Sequence, residues 1–531
     1  MRFTVAVKFI RSAFLICICL AAPHALASSG ATLPEPVTSA LRHARIPLSN
    51  VGIFVQEVDA PAPLIAVNAN QAMNPASTMK LLTTFAALES LGPAYRWKTE
   101  AYLDGKLENG VLQGNLVFKG YGDPKLTIEQ FWMWLRELRQ RGLREIRGDI
   151  VLDHGFFADA SEDPAEFDND PTRAYNVGTN ALLLNFNAIH LRLIPNGPSA
   201  IALLEPDLAG YTLQNNISTS ARLRCHGANA FTVRLDGHII KLEGKIPANC
   251  GDVDQYFSLL SHDEYFYAVF GALWQELGGT LQGKLRVGTA PVGVAPYARY
   301  VSPELSEIIR DINKFSNNTM ARQVFLTLGT TDPAKVAAST VAASAPDGTD
   351  MQGEPADAEI SGTQEGGDTV VETPASPAQA LEQVQNDLQA SASVPRSISW
   401  MHEWLRAQQL QFPELVLENG SGLSRKERIS PRHLAQILQR VTHSRFYPEL
   451  ESSLPILGMD GTVKRRFTDS DLAGRAHLKT GTLDGVKSMA GYVHAGNGKK
   501  WIVVFIINHP RAAMGQAAQD ALIEWLQQQA Q

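Results

Sequence analysis

Two side chains that could carry out acyl transfer stand three positions apart, where residues 80–91 begin an apolar helical pattern. They are Ser77 and Lys80, and side chains at this spacing on a helix share a face. Asn74 is suited to cap the helix and Pro75 to occupy its first position. A buried lysine loses its proton more readily and can then activate a neighbouring serine as a nucleophile.

Two further motifs follow along the chain, Ser316-x-Asn318 and Lys479-Thr480-Gly481. A Ser-x-x-Lys spacing arises by chance in many proteins, but an ordered triple of this kind marks β-lactamases and penicillin-binding proteins. The middle motif departs from the usual Ser-Asp-Asn, because its central residue is asparagine. We expect the three motifs to lie on a helix, a helical segment and a strand.

The residue types in the three motifs indicate their roles. Lys80 is the base for Ser77, and Ser316 can relay a proton to the leaving amine. Lys479 adds positive charge that keeps Lys80 deprotonated and attracts a substrate carboxylate. The amide of Asn318 can bind the substrate.

The strand motif offers groups for binding substrate. Thr480 and Thr482 can hydrogen-bond the carboxylate, and Gly481 lets the substrate backbone approach the strand edge. The backbone N–H groups of Ser77 and Thr482 would form an oxyanion hole, in which each donor contributes about 3 kcal/mol.

Three more stretches, residues 121–124 (YGDP), 419–425 (NGSGLSR) and 454–462 (LPILGMDGT), extend the match. With them the chain resembles the class C low-molecular-weight penicillin-binding proteins, the D-alanyl-D-alanine carboxypeptidases/endopeptidases of the bacterial periplasm. The resemblance covers the mature chain except residues 332–395.

The resemblance implies a serine DD-peptidase that works without a metal or other cofactor. Its partners would be peptidoglycan stem peptides, cleaved at D-alanyl-D-alanine ends and at D-alanyl–diaminopimelate cross-links through an acyl-serine, and β-lactam antibiotics such as penicillin, which acylate it. Asp170 and Tyr175 match positions near the substrate side chain, where an acid would meet the diaminopimelate ammonium.

The predicted fold class is α/β, with an antiparallel sheet flanked by helices and a large β-rich insertion. We expect a transpeptidase-like domain formed by residues 28–95, 288–331 and 396–531. Residues 96–287 contain short alternating strands and would form two small inserted domains. Residues 332–395 lack aromatic side chains and are rich in small and polar residues, so we expect a flexible insertion.

Composition and the N-terminus indicate where the protein works. The 531-residue chain has a formal net charge of −7, which argues against a nucleic-acid partner. Basic residues precede an apolar run at 13–22 and a small-x-small site at 25–27, the pattern of a signal peptide cleaved after Ala27. We therefore expect a periplasmic protein, and the mature chain has no apolar run long enough to span a bilayer.

Two cysteines, Cys225 and Cys250, remain after the predicted cleavage. An even pair in an oxidising compartment favours a disulfide, and two buried thiols are the alternative.

Two other functions share the same motifs. A β-lactamase would perform the same acylation with fast hydrolysis, and a penicillin-binding sensor would not turn over. The long insertion and the absence of a clear deacylation motif favour the peptidase. A long-lived adduct with fluorescent penicillin on Ser77 would distinguish it from a β-lactamase, and D-alanine release from muropeptides would distinguish it from a sensor.

Deleting residues 335–388 should leave the melting temperature and the activity almost unchanged. Long surface loops cost little to close, roughly 0.6 kcal/mol per doubling of length. A thermal melt and a muropeptide digest of the deletion variant test this. A large fall in melting temperature would mean that the segment packs against the body of the protein.

Overall fold

The computed structural model describes residues 33–158, 163–225, 230–332 and 392–528. The predicted signal peptide and nearly all of the predicted flexible insertion lie outside these residues. In chain order the helices are α1 (Glu35–Ala44), α2 (Lys80–Leu91), α3 (Ile128–Gln140), α4 (His262–Glu276), α5 (Leu305–Phe315), α6 (Asn318–Leu328), α7 (Val394–Ala407), α8 (Pro431–Thr442), α9 (Tyr447–Ser453) and α10 (Gln516–Gln528).

The strands are numbered in the same way. They are β1 (Val51–Glu57), β2 (Ile65–Val67), β3 (Lys98–Glu108), β4 (Val111–Gly120), β5 (Glu145–Ile146), β6 (Ile150–Asp153), β7 (Ile189–Asn196), β8 (Ser199–Glu205), β9 (Thr212–Ser220), β10 (Ala230–Asp236), β11 (Ile239–Pro247), β12 (Val253–Phe257), β13 (Thr280–Leu281), β14 (Leu285–Val287), β15 (Ala298–Val301), β16 (Ala476–Leu483), β17 (Val486–His494) and β18 (Lys500–Asn508).

The first sheet is antiparallel and has the strand order β16-β17-β18-β1-β2. Side chains alternate across it, so Ile502, Val504 and Ile506 of β18 pack with α2, α5, α6, α7 and α8. Val503 and Phe505 point to the other face and pack with α1 and α10. Because both faces are covered, β18 is apolar at nearly every position.

The insertion contains two more sheets. One has the order β13-β5-β4-β3-β15 with β6 and β14 attached, and the other has the order β10-β11-β9-β8-β7-β12. Helices α3 and α4 pack with both in one apolar core that includes Phe118, Trp134 and Phe270. The predicted boundary at residue 287 is too early, because β15 pairs antiparallel with β3 and so belongs to the same sheet.

Cys225 and Cys250 form a disulfide in this insertion, with their Cα atoms 5.1 Å apart. The two cysteines belong to the connections that follow β9 and β11, two strands that pair in parallel.

Two element boundaries differ from the sequence prediction. The helical segment expected to carry the middle motif is two helices, α5 and α6, because Ser316 adopts a left-handed conformation with φ of 59°. Helix α7 starts at Val394, inside the predicted flexible insertion, with the side chain of Ser393 accepting a hydrogen bond from the Arg396 N–H. Ala392, just before it, is fully buried.

Candidate active site

Ser77 lies in a short 3₁₀ turn, Ala76–Met79, that leads into α2. The predicted N-cap is therefore corrected: Asn74 does not cap an α-helix, and its Oδ1 instead accepts a hydrogen bond from the Ala76 N–H, at 2.9 Å. Ala76 has a φ of +46°, a conformation that costs energy for a residue with a side chain. The α-helix begins only at Lys80, so the turn is held by its neighbours rather than by helix propensity.

Lys80 is completely buried, and its Nζ lies 3.1 Å from the Ser77 Oγ. The same nitrogen donates to the Asn318 Oδ1, at 2.7 Å, and to the Ser421 carbonyl. Burial lowers the pKa of Lys80 well below its ordinary value, and the nearby charge of Lys479 lowers it further. A lowered pKa makes the amine better able to be neutral and so to accept the proton of a neighbouring hydroxyl.

The middle motif lies at the junction between α5 and α6. The left-handed Ser316 ends α5, and the Asn317 side chain caps α6 by accepting a hydrogen bond from the Met320 N–H, at 3.0 Å. Asparagine and aspartate are both good N-caps, which explains why asparagine is acceptable at the centre of this motif. As the first residue of α6, Asn318 points its amide at Lys80.

Lys479 is buried on β16, and its Nζ lies 2.9 Å from the Ser316 Oγ and 2.8 Å from the Thr480 carbonyl. Burial lowers the pKa of Lys479 to about 7. Two chains of hydrogen bonds, one through Lys80 and Asn318 and one through Lys479 and Ser316, therefore bring the three motifs into one cleft.

The structure shows a steric reason for the glycine at position 481. A Cβ at this position would lie 2.7 Å from the Ser77 backbone nitrogen and 2.4 Å from the Ser488 Oγ. That hydroxyl donates to the Pro75 carbonyl, at 2.6 Å, two residues before Ser77. The glycine thus allows β16 and β17 to pack directly against the Ser77 turn.

Strand β16 forms one edge of its sheet. The Leu478 N–H points away from β17 and donates to the Pro455 carbonyl, at 2.8 Å. Because N–H directions alternate along a strand, those of Thr480 and Thr482 point to this same edge. The edge can therefore accept an extended peptide and stabilise a developing oxyanion.

The hydroxyls of the two threonines have protein neighbours in the cleft. The Thr480 Oγ1 lies 2.7 Å from the Thr462 Oγ1, and the Thr482 Oγ1 accepts from the Lys487 Nζ, at 3.4 Å. The two neighbours were not predicted as site residues, although Thr462 ends the stretch at 454–462.

The stretch at residues 419–425, for which the sequence predicts no role, lies in a loop formed by residues 418–427. Gly422, with φ of +78°, packs against the Ser77 turn, and a Cβ there would lie 1.9 Å from the Ala76 carbonyl oxygen. The Asn74 amide donates to the Ser424 carbonyl, at 2.8 Å. The Gly420-Ser421-Gly422 run was the available sequence signal, but it does not reveal which backbone the loop contacts.

Asp170 and Tyr175 lie on a loop of the insertion, and none of their hydrogen bonds reaches the three motifs. Asp170 binds its own neighbours, with its Oδ2 accepting from the Arg173 Nε, at 2.7 Å, and its Oδ1 from Thr172. The hydrogen bond from Arg173 lowers the pKa of Asp170. The Tyr175 hydroxyl donates to Asp168, at 2.6 Å.

A cavity of about 280 Å³ separates this insertion loop from the 418–427 loop. Its lining includes Phe167 and Asn176 from the insertion, Arg322 from α6, and Asn419 and Arg425 from the other loop. The cavity is large enough to receive a side chain.

A serine beside a buried lysine, a Ser-x-Asn junction and a Lys-Thr-Gly edge strand define a serine peptidase of the penicillin-binding class. The chain belongs to the family described as D-Ala-D-Ala carboxypeptidase 3 (S13), whose model matches residues 33–346 and 378–529. The family assignment made from the motifs is confirmed, as is the serine-type DD-peptidase activity.

Two curated relatives align with this chain along most of their length. The chain is 24% identical to the D-alanyl-D-alanine carboxypeptidase DacB of Haemophilus influenzae over 465 residues, covering 87% of this chain and 85% of that protein. It is 26% identical to the D-alanyl-D-alanine carboxypeptidase of Actinomadura sp. (strain R39) over 531 residues, covering 94% of this chain and 86% of that protein.

The fold agrees with a solved structure. The crystal structure of penicillin binding protein 4 from Haemophilus influenzae superposes with a TM-score of 0.68 at 22% identity, covering 92% of this chain and 99% of that one. The predicted fold class is confirmed.

Gly481→Ala should slow acylation by benzylpenicillin at least tenfold, because the methyl group displaces the Ser77 turn. We expect a stability loss of about 1–3 kcal/mol from overpacking. Gly496→Ala is the matched control, since a Cβ there meets no atom within 4 Å. Acylation rates and thermal melts of both variants measure the effect. Equal rates in the two variants would show that the close approach is not required.

Proposed function

We propose that Ser77 is the nucleophile of this DD-peptidase and that Lys80 is its general base. The observation that carries the proposal is the buried Lys80 Nζ, 3.1 Å from the Ser77 Oγ, with a pKa lowered by burial. A neutral amine at that distance removes the hydroxyl proton as the oxygen attacks a carbonyl.

In the acylation step, the Ser77 Oγ forms a bond to the carbonyl carbon of the penultimate D-alanine. Its proton passes to Lys80, and the oxyanion accepts hydrogen bonds from the Ser77 and Thr482 N–H groups. As the C–N bond breaks, Ser316 passes its hydroxyl proton to the leaving amine and takes a replacement proton from Lys479, whose Nζ donates to that hydroxyl. Water then hydrolyses the acyl-serine with the same groups acting in reverse.

We assign recognition of the substrate carboxylate to the end of the cleft formed by β16. Lys479 would supply charge, and Thr480 and Thr482 would supply hydroxyl donors. The exposed edge of β16 would pair with the extended stem peptide, and Asn318 would bind its backbone. Gly481 would let the substrate backbone approach this edge, and its lack of a side chain also permits the close packing of the Ser77 turn.

The natural partners would be peptidoglycan stem peptides in the periplasm, with β-lactams as acylating mimics. Another solved structure of the Haemophilus influenzae protein is described as complexed with a β-lactam, and it superposes with a TM-score of 0.66. Among the described helices, none is long and apolar enough to cross a membrane. The predicted signal peptide would direct export and would be removed by cleavage after Ala27.

Ser77→Ala should abolish covalent labelling by fluorescent penicillin, because the acylated oxygen is gone.

Lys80→Ala should fold and should be acylated several orders of magnitude more slowly, because the base is gone. Labelling kinetics by gel, with circular dichroism as the folding control, test both variants. An adduct on Ser77→Ala would move the nucleophile elsewhere, and normal labelling of Lys80→Ala would overturn the base.

Asp170→Asn tests substrate choice. We propose that the diaminopimelate ammonium competes with Arg173 for the Asp170 carboxylate, beside Tyr175. Removing the charge should then cost roughly 1–3 kcal/mol of transition-state stabilisation with diaminopimelate-containing muropeptides. Acylation by benzylpenicillin, which lacks that ammonium, is the internal control and should change much less. Equal losses with both substrates, or no loss with either, would exclude the contact.

A further inference from the structure

Glu427 is a buried acid that the sequence analysis did not single out. It is completely inaccessible to solvent. Its Oε1 accepts hydrogen bonds from three consecutive backbone N–H groups, those of Glu418 at 3.2 Å, Asn419 at 3.1 Å and Gly420 at 3.0 Å. Its Oε2 has no hydrogen-bond partner in the described part of the chain. Burying a carboxyl group with one unpaired oxygen costs free energy, which indicates that this side chain has a function beyond packing.

The backbone that Glu427 holds is also fixed from the opposite side by α2. The Gly420 carbonyl accepts from the Thr83 Oγ1, at 2.6 Å, and the next carbonyl, that of Ser421, accepts from the Lys80 Nζ. The loop is therefore clamped between a carboxyl group and the helix that carries the proposed base. Any shift of the loop moves an acceptor of Lys80.

We propose that Glu427 is a positioning residue for the DD-peptidase reaction, which fixes the 418–421 loop on Lys80 and offsets the positive charge that Lys80 gains when it takes the Ser77 proton. The inference rests on the proposed role of Lys80 as the base. Glu427 touches neither the substrate nor the reacting atoms, so it acts through Lys80 and the loop.

The charges around Lys80 explain why an acid is useful there. Lys479 faces it from β16 and Arg322 from α6, and both lower the pKa of Lys80, whereas Glu427 raises it. Protonating Lys80 would otherwise add a third cation to a dry site. Burial raises the pKa of Glu427 itself, and the three backbone N–H groups and Lys80 oppose that rise.

Glu427→Gln separates charge from shape. The glutamine Oε1 can accept the same three N–H groups, so the loop should stay in place. Acylation by fluorescent penicillin needs neutral Lys80, so its rate falls at pH values below the pKa of that amine. Removing the negative charge lowers the pKa of Lys80. The acidic limb of the pH–rate profile, where the rate falls, should therefore move down by about one pH unit. The plateau rate should fall about tenfold, because the newly protonated lysine loses its counter-charge.

Two variants serve as controls in the same pH series. Glu418→Gln removes a partly exposed charge from the same loop, where Lys426 pairs with it, and should leave the limb in place. Thr83→Val releases the loop without changing any charge, so it should lower the plateau without moving the limb.

If the acidic limb of Glu427→Gln lies at the same pH as that of the wild type, the proposal is overturned and Glu427 only fixes the loop. If that variant does not fold, Glu427→Asp keeps the charge, and a limb displaced as far as one pH unit would overturn the proposal. A wild-type limb with a reduced plateau in Glu427→Asp would support it. A wild-type protein that forms no adduct on Ser77 would overturn the proposed function instead, and this inference with it.

Discussion

Two lysines, Lys80 and Lys479, are buried in one cleft, and the rest of the site follows from the difficulty of keeping them there. Two ammonium groups in a dry, confined site repel one another and lose their hydration. The protein lowers the pKa of both amines and gives each nitrogen oxygen acceptors, from Asn318 and Ser421 for Lys80 and from Ser316 and Thr480 for Lys479. The instability of the charged state is what suits Lys80 to the proposed role of base.

The second requirement of the site is close packing around the turn that carries Ser77. The Ser77 turn lies between Gly422 on one side and Gly481 on the other, and a Cβ at either position would come within 2.8 Å of the Ser77 nitrogen. These glycines come from a loop and an edge strand that are far apart in sequence. Their packing, together with the Ser488 and Asn74 hydrogen bonds, holds Ala76 in its unfavourable conformation.

The sequence was sufficient for the family, the three motifs and most element types, because each depends on short-range patterns. The helix at Lys80–Leu91 and the strand at Ala476–Leu483 follow from local periodicity and turn signals. The break at Ser316 was not visible, because a Ser-Asn-Asn run inside a periodic segment does not reveal a left-handed residue.

Long-range contacts were beyond prediction. The clash that requires Gly481 to be a glycine depends on where the Ser77 turn packs, and Glu427 has a role only because its carboxyl meets the backbone of Glu418, Asn419 and Gly420. The ion pair between Asp170 and Arg173 is local in sequence, but several other acids nearby could have paired with the same arginine. Neither composition nor spacing ranks such choices.

The pairing of β1 with β18 has a consequence for the order of events during synthesis. Just before β1, the Asn50 amide donates to the Asn508 carbonyl at the end of β18, a contact that spans 458 positions. The inserted sheet, in contrast, closes when β15 meets β3. Contacts so distant form late in folding, and domains of a growing chain fold as they emerge. A nascent chain that already carries Ser77 therefore still lacks β18, the strand that pairs with β1, and Lys479 of β16. The site is complete only after the hairpin of β17 and β18 has been made.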